Sequence, residues 1–149
     1  MTVITRLVTR PEASDEFEWM MTLPQHMAFF YLTYMEDFLR CDELIFLLDE
    51  ESRDIGVVAI AYNTDTGFSQ LRYSATILAV YIVRQHFGCD LELVGLKAGI
   101  ARCYEKGCVK VYFTPRTTSV RAAINRLPSE LKIGLIVHDT GVYDDGLLG

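Results

Sequence analysis

The chain has 149 residues, half of them hydrophobic and 23% charged, which fits one globular domain over residues 1–149 and excludes a disordered chain. Lysine and arginine number 14 against 20 acids, a net charge of −6 with no basic run, so no nucleic-acid partner is expected. The longest apolar stretch, 75–83, is too short to span a bilayer, and the first six residues are too mixed for a signal peptide. A soluble protein of the cytoplasm, with no membrane partner, is therefore expected.

In chain order, residues 2–8 alternate weakly and read as a first strand, broken by Pro11. Ser14 and Asp15 offer a helix cap, and 17–23 reads as a short helix. Pro24 suits the first turn of a second helix. That helix ends near Arg40 and carries Met27, Phe30, Tyr31, Tyr34 and Phe38 as an aromatic stripe. Residues 44–48 and 54–62 read as strands around the polar turn 49–52, and 63–67 is a turn cluster. The nearly continuous apolar run 75–83 predicts a strand buried on both faces, completing an antiparallel meander.

Residues 90–106 form the clearest helix, with Asp90 as N-cap and Gly107 beyond its C-terminus. Leu93, Val94, Leu96, Ala98, Ile100, Ala101 and Tyr104 are its expected buried side. A strand at 109–113 follows, then a helix at 118–127 stopped by Pro128, a strand at 133–137 and a turn at 139–141. Val142 and Tyr143 make a candidate last strand. The order is β-α-α-β-β-β-α-β-α-β, with one more β at the end. Its central meander argues against a doubly wound fold.

Cys41, Cys89, Cys103 and Cys108 form no C-x-x-C pair and have no histidine at ligand spacing, so reduced thiols and no metal are expected. Cys89 lies in the loop before the 90–106 helix with His86 three residues away, which is the arrangement of an activated thiol, although Asp90 opposes thiolate formation. Phe30, Tyr31 and Tyr34 suit a core. Tyr81 and Tyr112 suit a core or an interface, and His138 beside Asp139 suits the surface. The acidic runs 49–51 and 144–145 read as solvated turns.

The stretch from Ala75 to Phe113 resembles the GNAT (acetyltransferase-like) family, and the element order extends that resemblance over nearly the whole chain. The implied fold is α/β, a central mostly antiparallel mixed sheet flanked by helices. In that family a strand leads through a turn of pattern R/Q-x-x-G-x-G/A into a helix whose N-terminus holds the pyrophosphate of acetyl-CoA. A helix N-terminus presents unpaired donors and partial positive charge, and glycines let a phosphate approach closely. Here the segment reads Val83-Arg84-Gln85-His86-Phe87-Gly88-Cys89-Asp90-Leu91-Glu92. Counting back from Gly107 places Gly88 on the first glycine and Asp90 and Glu92 on the next two small positions. Phe87 stands where the family has Arg or Gln. Two carboxylates thus enter the anion cradle, with Arg84, Gln85 and His86 as compensating groups.

By resemblance, the cofactor is acetyl-CoA. Tyr81, Ile82 and Val83 lie on the strand edge that bonds its pantetheine arm. Arg84, Gln85, Gly88 and Cys89 form the phosphate loop, and Asn125 lies in the last helix. No catalytic residue is assigned: no acid lies in 75–83, and the 118–127 helix lacks the tyrosine that many members use as an acid. Asn125 and Arg126 lie near that tyrosine's place. The resemblance implies an N-acetyltransferase acting on a small-molecule or protein amine, with Phe30, Tyr31 and Tyr34, on the early helices that flank the substrate in that family, as the lining of an acceptor pocket if they are not core. The alternative is a divergent member without the chemistry, a binding or structural subunit of the kind phage and mobile-element genomes carry. Its place would then be the virion, its partner a protein or a second copy.

Overall fold

The apolar runs become strands of one sheet in a computed structural model that describes residues 2–9, 40–63, 74–83, 86 and 90–143. In chain order these are β1 (Ile4–Thr9), β2 (Glu43–Leu48), β3 (Asp54–Tyr62), β4 (Ser74–Ile82), α1 (Leu91–Glu105), β5 (Lys110–Phe113), α2 (Thr118–Asn125), α3 (Ser129–Lys132) and β6 (Leu135–Val137). The two early helices fall outside the described residues, as do Phe30, Tyr31, Tyr34 and the turn after Asn63. Only the expected end near Arg40 is visible, where Arg40 is helical and Cys41 is not.

The strands lie in the order β1-β2-β3-β4-β5-β6. The first four are antiparallel neighbours, while β4–β5 and β5–β6 are parallel, so the sheet is mixed as expected. A parallel neighbour needs a crossover, which α1 supplies between β4 and β5. Both faces of the central strands are buried. One face packs Ile45, Val58, Ile60 and Ile77 against Leu96 and Ile100 of α1 and Val120 and Ile124 of α2. The opposite face buries Leu44, Phe46, Val57, Ala59 and Tyr81.

The helix α1 meets the sheet through small residues. An ideal Cβ on Gly95 would lie 3.3 Å from both Val58 Cγ2 and Val80 Cγ1, and one on Gly99 would lie 3.0 Å from Val58 Cγ1. With Cys103 these glycines form a four-residue-spaced stripe that lets the backbone approach the sheet. The expected buried side is thus corrected. Leu96 and Ile100 are buried, but Leu93, Val94, Ala98, Ala101 and Tyr104 are only half-buried. The helix ends as Gly107 predicts: φ is 90°, the Gly107 N–H donates to Tyr104 O at 3.0 Å, and the Cys108 N–H donates to Cys103 O at 3.0 Å. These two bonds define a Schellman motif.

Three further expectations change. The turn residue Asp49 is buried, not solvated, because its carboxylate accepts from the Glu51 and Arg53 backbone N–H groups at 2.9 Å each and from Arg53 Nε at 2.9 Å. The strand expected from residue 133 starts only at Leu135, because Pro128, past the end of α2, caps a short helix, α3, that runs up to Ile133. The residues Val142 and Tyr143 form no strand. Asp139 Oδ1 accepts from the Gly141 N–H at 3.0 Å and the Tyr143 hydroxyl at 2.8 Å and curls the chain into a turn.

Candidate functional site

The parallel ladder between β4 and β5 is short. It pairs Ser74–Ile77 with Lys110–Phe113 and stops there, while β4 continues to Ile82. Two local features part the strands. On β4, Ala79 faces Ala59 but Ile77 faces Ile60, so Leu78 is an extra residue, a bulge. Leu78 and Ala79 consequently pack on the same face, and a bulge bends the strand that carries it. On β5, Pro115 follows two residues after the last paired position and has no N–H to continue a ladder. Thr117 then caps α2, its Oγ1 accepting from the Val120 N–H at 3.2 Å. The upper half of β4, with Tyr81 and Ile82, therefore runs on without β5 beside it.

Just beyond, Val83 is fixed by backbone bonds. Its N–H donates to Ile55 O at 2.9 Å, and its carbonyl accepts from the His86 N–H at 2.8 Å. Val83 and His86 line a cavity of about 600 Å³ with Asp49, Ser52, Arg53, Asp54 and Ile55. The Asp49 carboxyl lies below its usual range, first through the backbone N–H of Arg53 and then through the Arg53 side chain and the Glu51 N–H.

On the other side stands the N-terminus of α1. Asp90 occupies the cap position with φ 65°, in the left-handed region, and its side chain makes no capping bond. Asp90 thus holds the expected N-cap position without the expected side-chain bond. Left-handed backbone aims the side chain away from the helix, and the carboxylate pairs with the Arg126 guanidinium instead. That hydrogen bond, then the guanidinium's charge, holds the Asp90 carboxyl below its usual range. Asp90, Glu92, Leu93, Ser119, Ala122, Ala123 and Arg126 enclose a hollow of about 190 Å³ between α1 and α2. Glu92 is buried there, 3% exposed.

Of the residues implied for the cofactor, Tyr81, Ile82 and Val83 lie at this end of the sheet, on the strand that leads to α1. Arg84, Gln85, Gly88 and Cys89, with Phe87, fall outside the described residues. Asn125 is exposed at the end of α2, where its Oδ1 accepts from Arg121 Nη1 at 3.0 Å; its neighbour Arg126 is the residue that reaches α1. His138 is on the surface as expected, while Tyr81 is buried and Tyr112 half-buried.

One charged cluster escaped the sequence reading. Glu43, 3% exposed at the start of β2, takes a forked pair of bonds from Arg102 of α1, at 3.0 Å from Nε and 2.8 Å from Nη2. It also accepts from the Tyr62 hydroxyl. Burial pushes the Glu43 carboxyl up, but Arg102 and Tyr62 outweigh burial and leave it below the usual glutamate range. The Tyr62 hydroxyl is driven far upward, by burial first and then by Glu43. The available signal was Arg102 beside Cys103, a charge on the sheet-facing stripe of α1, which requires a buried partner. This cluster sits at the last turn of α1, at the opposite end of the helix from Asp90.

Among the described residues no group of three or more His, Cys, Asp or Glu side chains could hold a metal ion, and no helix is long and apolar enough to cross a membrane. No protein-family model matches the sequence, and no curated protein matches it. Solved structures similar to the chain include three acetyltransferases or proteins provisionally assigned as such. One, from Pyrococcus furiosus, is 15% identical over 85% of this chain and 93% of that one, with a TM-score of 0.48. A second, from Exiguobacterium sp. 255-15, is 9% identical over 76% of each chain, with a TM-score of 0.47. The third, a GNAT-family member from Staphylococcus aureus Mu50, is 6% identical over 83% and 79%, with a TM-score of 0.44. Likenesses this distant say nothing of activity. The element order, the antiparallel meander and the parallel β4–β5 pair that ends at Ile77 and Phe113 make the described part of the chain a mixed α/β fold, a six-stranded sheet flanked by helices.

Proposed function

We propose that the chain binds acetyl-CoA in the parting between β4 and β5 and transfers its acetyl group to an amine. The observation that carries this reading is the end of the β4–β5 ladder at Ile77 and Phe113, beside a helix N-terminus that its own Asp90 does not cap. An extended pantetheine arm fits alongside a strand whose neighbour has turned away. A pyrophosphate suits the first turn of α1, and Arg126 offsets the Asp90 charge that would repel it. The buried Glu92 is the feature that fits such an anion least well. The bound thioester supplies an activated acyl group. The chain's part is to hold it in line with the amine, and positioning alone contributes much of such a rate.

The test is calorimetry with acetyl-CoA and with CoA, followed by thiol release in the presence of a panel of amines. Binding heat with both ligands and amine-dependent thiol release are expected. The absence of both binding heat and a thermal shift at millimolar ligand overturns the proposal. A second reading, a GNAT-fold binding or structural subunit without transfer, is favoured by the makeup of the slot. β4 carries no carboxylate and α2 no tyrosine. The buried glutamate of the sheet, Glu43, is locked by Arg102 at the far end of α1. Binding of acetyl-CoA without thiol release for any amine selects that reading.

A further inference from the structure

We propose that Cys103 and Cys108 are a dithiol that closes to a disulfide, a redox-sensitive clip between the last turn of α1 and the segment leading into β5. Both thiols are free and buried, 0% and 7% exposed, and both enter the core cluster between the helices and the sheet. The end of α1 brings them together. With Lys106 as its C-cap and Gly107 in the left-handed turn, Cys103 opens the last turn of the helix and Cys108 is the second residue beyond the cap. In a Schellman motif these are the positions joined by the wider bond, here from the Cys108 N–H to Cys103 O at 3.0 Å, and their side chains commonly meet over the helix end.

That bond sets the spacing. Residues joined by backbone bonds across a strand pair have Cα atoms about 5.5 Å apart, close to the commonest spacing across a disulfide. Cysteine side chains that point apart cannot be bridged, but these two enter one cluster and converge. Their nearness also marks their chemistry. Burial first, and then the neighbouring Cys108, pushes the Cys103 thiol up to about 12. Burial raises the Cys108 thiol as well, but Lys106 draws it back. Cys41 lies in the cluster on the opposite face of the sheet and does not compete.

These surroundings give the two thiols different parts. Cys108, the less buried and the one that Lys106 favours, is the attacking thiol when the helix end frays open. It loses its proton and displaces one thiol from a low-molecular-mass disulfide such as oxidised glutathione, forming a mixed disulfide. Cys103 then loses its proton, attacks the Cys108 sulfur and releases the second glutathione thiol. Two protein thiols are oxidised, one disulfide is reduced to two thiols, and the two protons end on the glutathione sulfurs. Because burial holds both thiols above their usual range, closure takes minutes to hours.

Peptide mapping of the native chain tests this, after incubation with millimolar oxidised glutathione, alkylation of the remaining thiols and digestion with trypsin. Cleavage after Arg102, Lys106 and Lys110 places the two cysteines in separate peptides, 103–106 and 107–110. A disulfide joining these peptides, absent after dithiothreitol, is expected. The clipped chain should also gain about tenfold or more in its folded-to-unfolded ratio in urea over the reduced chain, since a bridge limits the unfolded state. Cys108→Ser should show neither the link nor the gain. A link that forms only in the urea-unfolded chain overturns the proposal, and so do glutathione adducts on Cys108 that never resolve to the link. Equal stability of the linked and reduced chains overturns the clip. Should Cys108→Ser not fold, the map of the parent chain still decides, because it needs no variant.

Discussion

Asp90 has two roles that a single substitution separates. Its left-handed backbone suits glycine better than aspartate, and its carboxylate holds Arg126. Asp90→Gly is expected to leave the helix start intact, free the guanidinium and remove a charge facing the phosphates. CoA should then bind several-fold more tightly by calorimetry, while Arg126→Ala should weaken it. No change in either variant would mean that the ligand does not reach this helix end. Glu43 governs stability instead. Removing its charge with Glu43→Gln leaves the forked Arg102 short of its partner, a loss of about 2 kcal/mol in urea unfolding near neutral pH. The folded Glu43 carboxyl is held below its ordinary value, so its contribution is complete above the usual glutamate range, about pH 4–5. The contribution is lost as the pH falls through the lower folded value. The gap between parent and variant should accordingly narrow in acid; a gap constant down to pH 2–3 would contradict this pairing.

At the level of elements, the strands were legible because β2, β3 and β4 are apolar runs bounded by polar turns, and β3 spans the residues expected. The extent of α1 was legible from Asp90 and Gly107, its buried face only in part. Leu96 and Ile100 were expected there and are buried, but Gly95, Gly99 and Cys103, which let the helix backbone lie close on the sheet, were not expected. Gly99→Val should overfill the contact with Val58 and Ile77 and cost about 2–3 kcal/mol in denaturant unfolding. Lys97→Val, exposed on the same helix, should change little. The helix α3 was missed because four residues carry too little periodicity, and the tail beyond β6 was misread because Asp139 organises it through bonds that hydropathy does not register.

For the molecule as a whole, the meander followed by a helical crossover was enough to reach the architecture. The candidate site was only partly legible. The parting of β4 from β5 depends on a one-residue register shift at Leu78, which leaves no mark in composition, and the Asp90–Arg126 pair joins residues far apart in sequence. That parting also divides the sheet mechanically. The antiparallel half, β1 to β4, and the parallel half, β5 and β6, share a ladder of only four residue pairs. Local opening should therefore begin at this seam, with the amides of β5 and β6 exchanging hydrogen for deuterium faster than the buried amides of β3. A ligand seated in the slot would touch both halves and close that route. Acetyl-CoA should slow exchange in β5 and β6 more than in β1, and uniform slowing or none would place its binding site elsewhere.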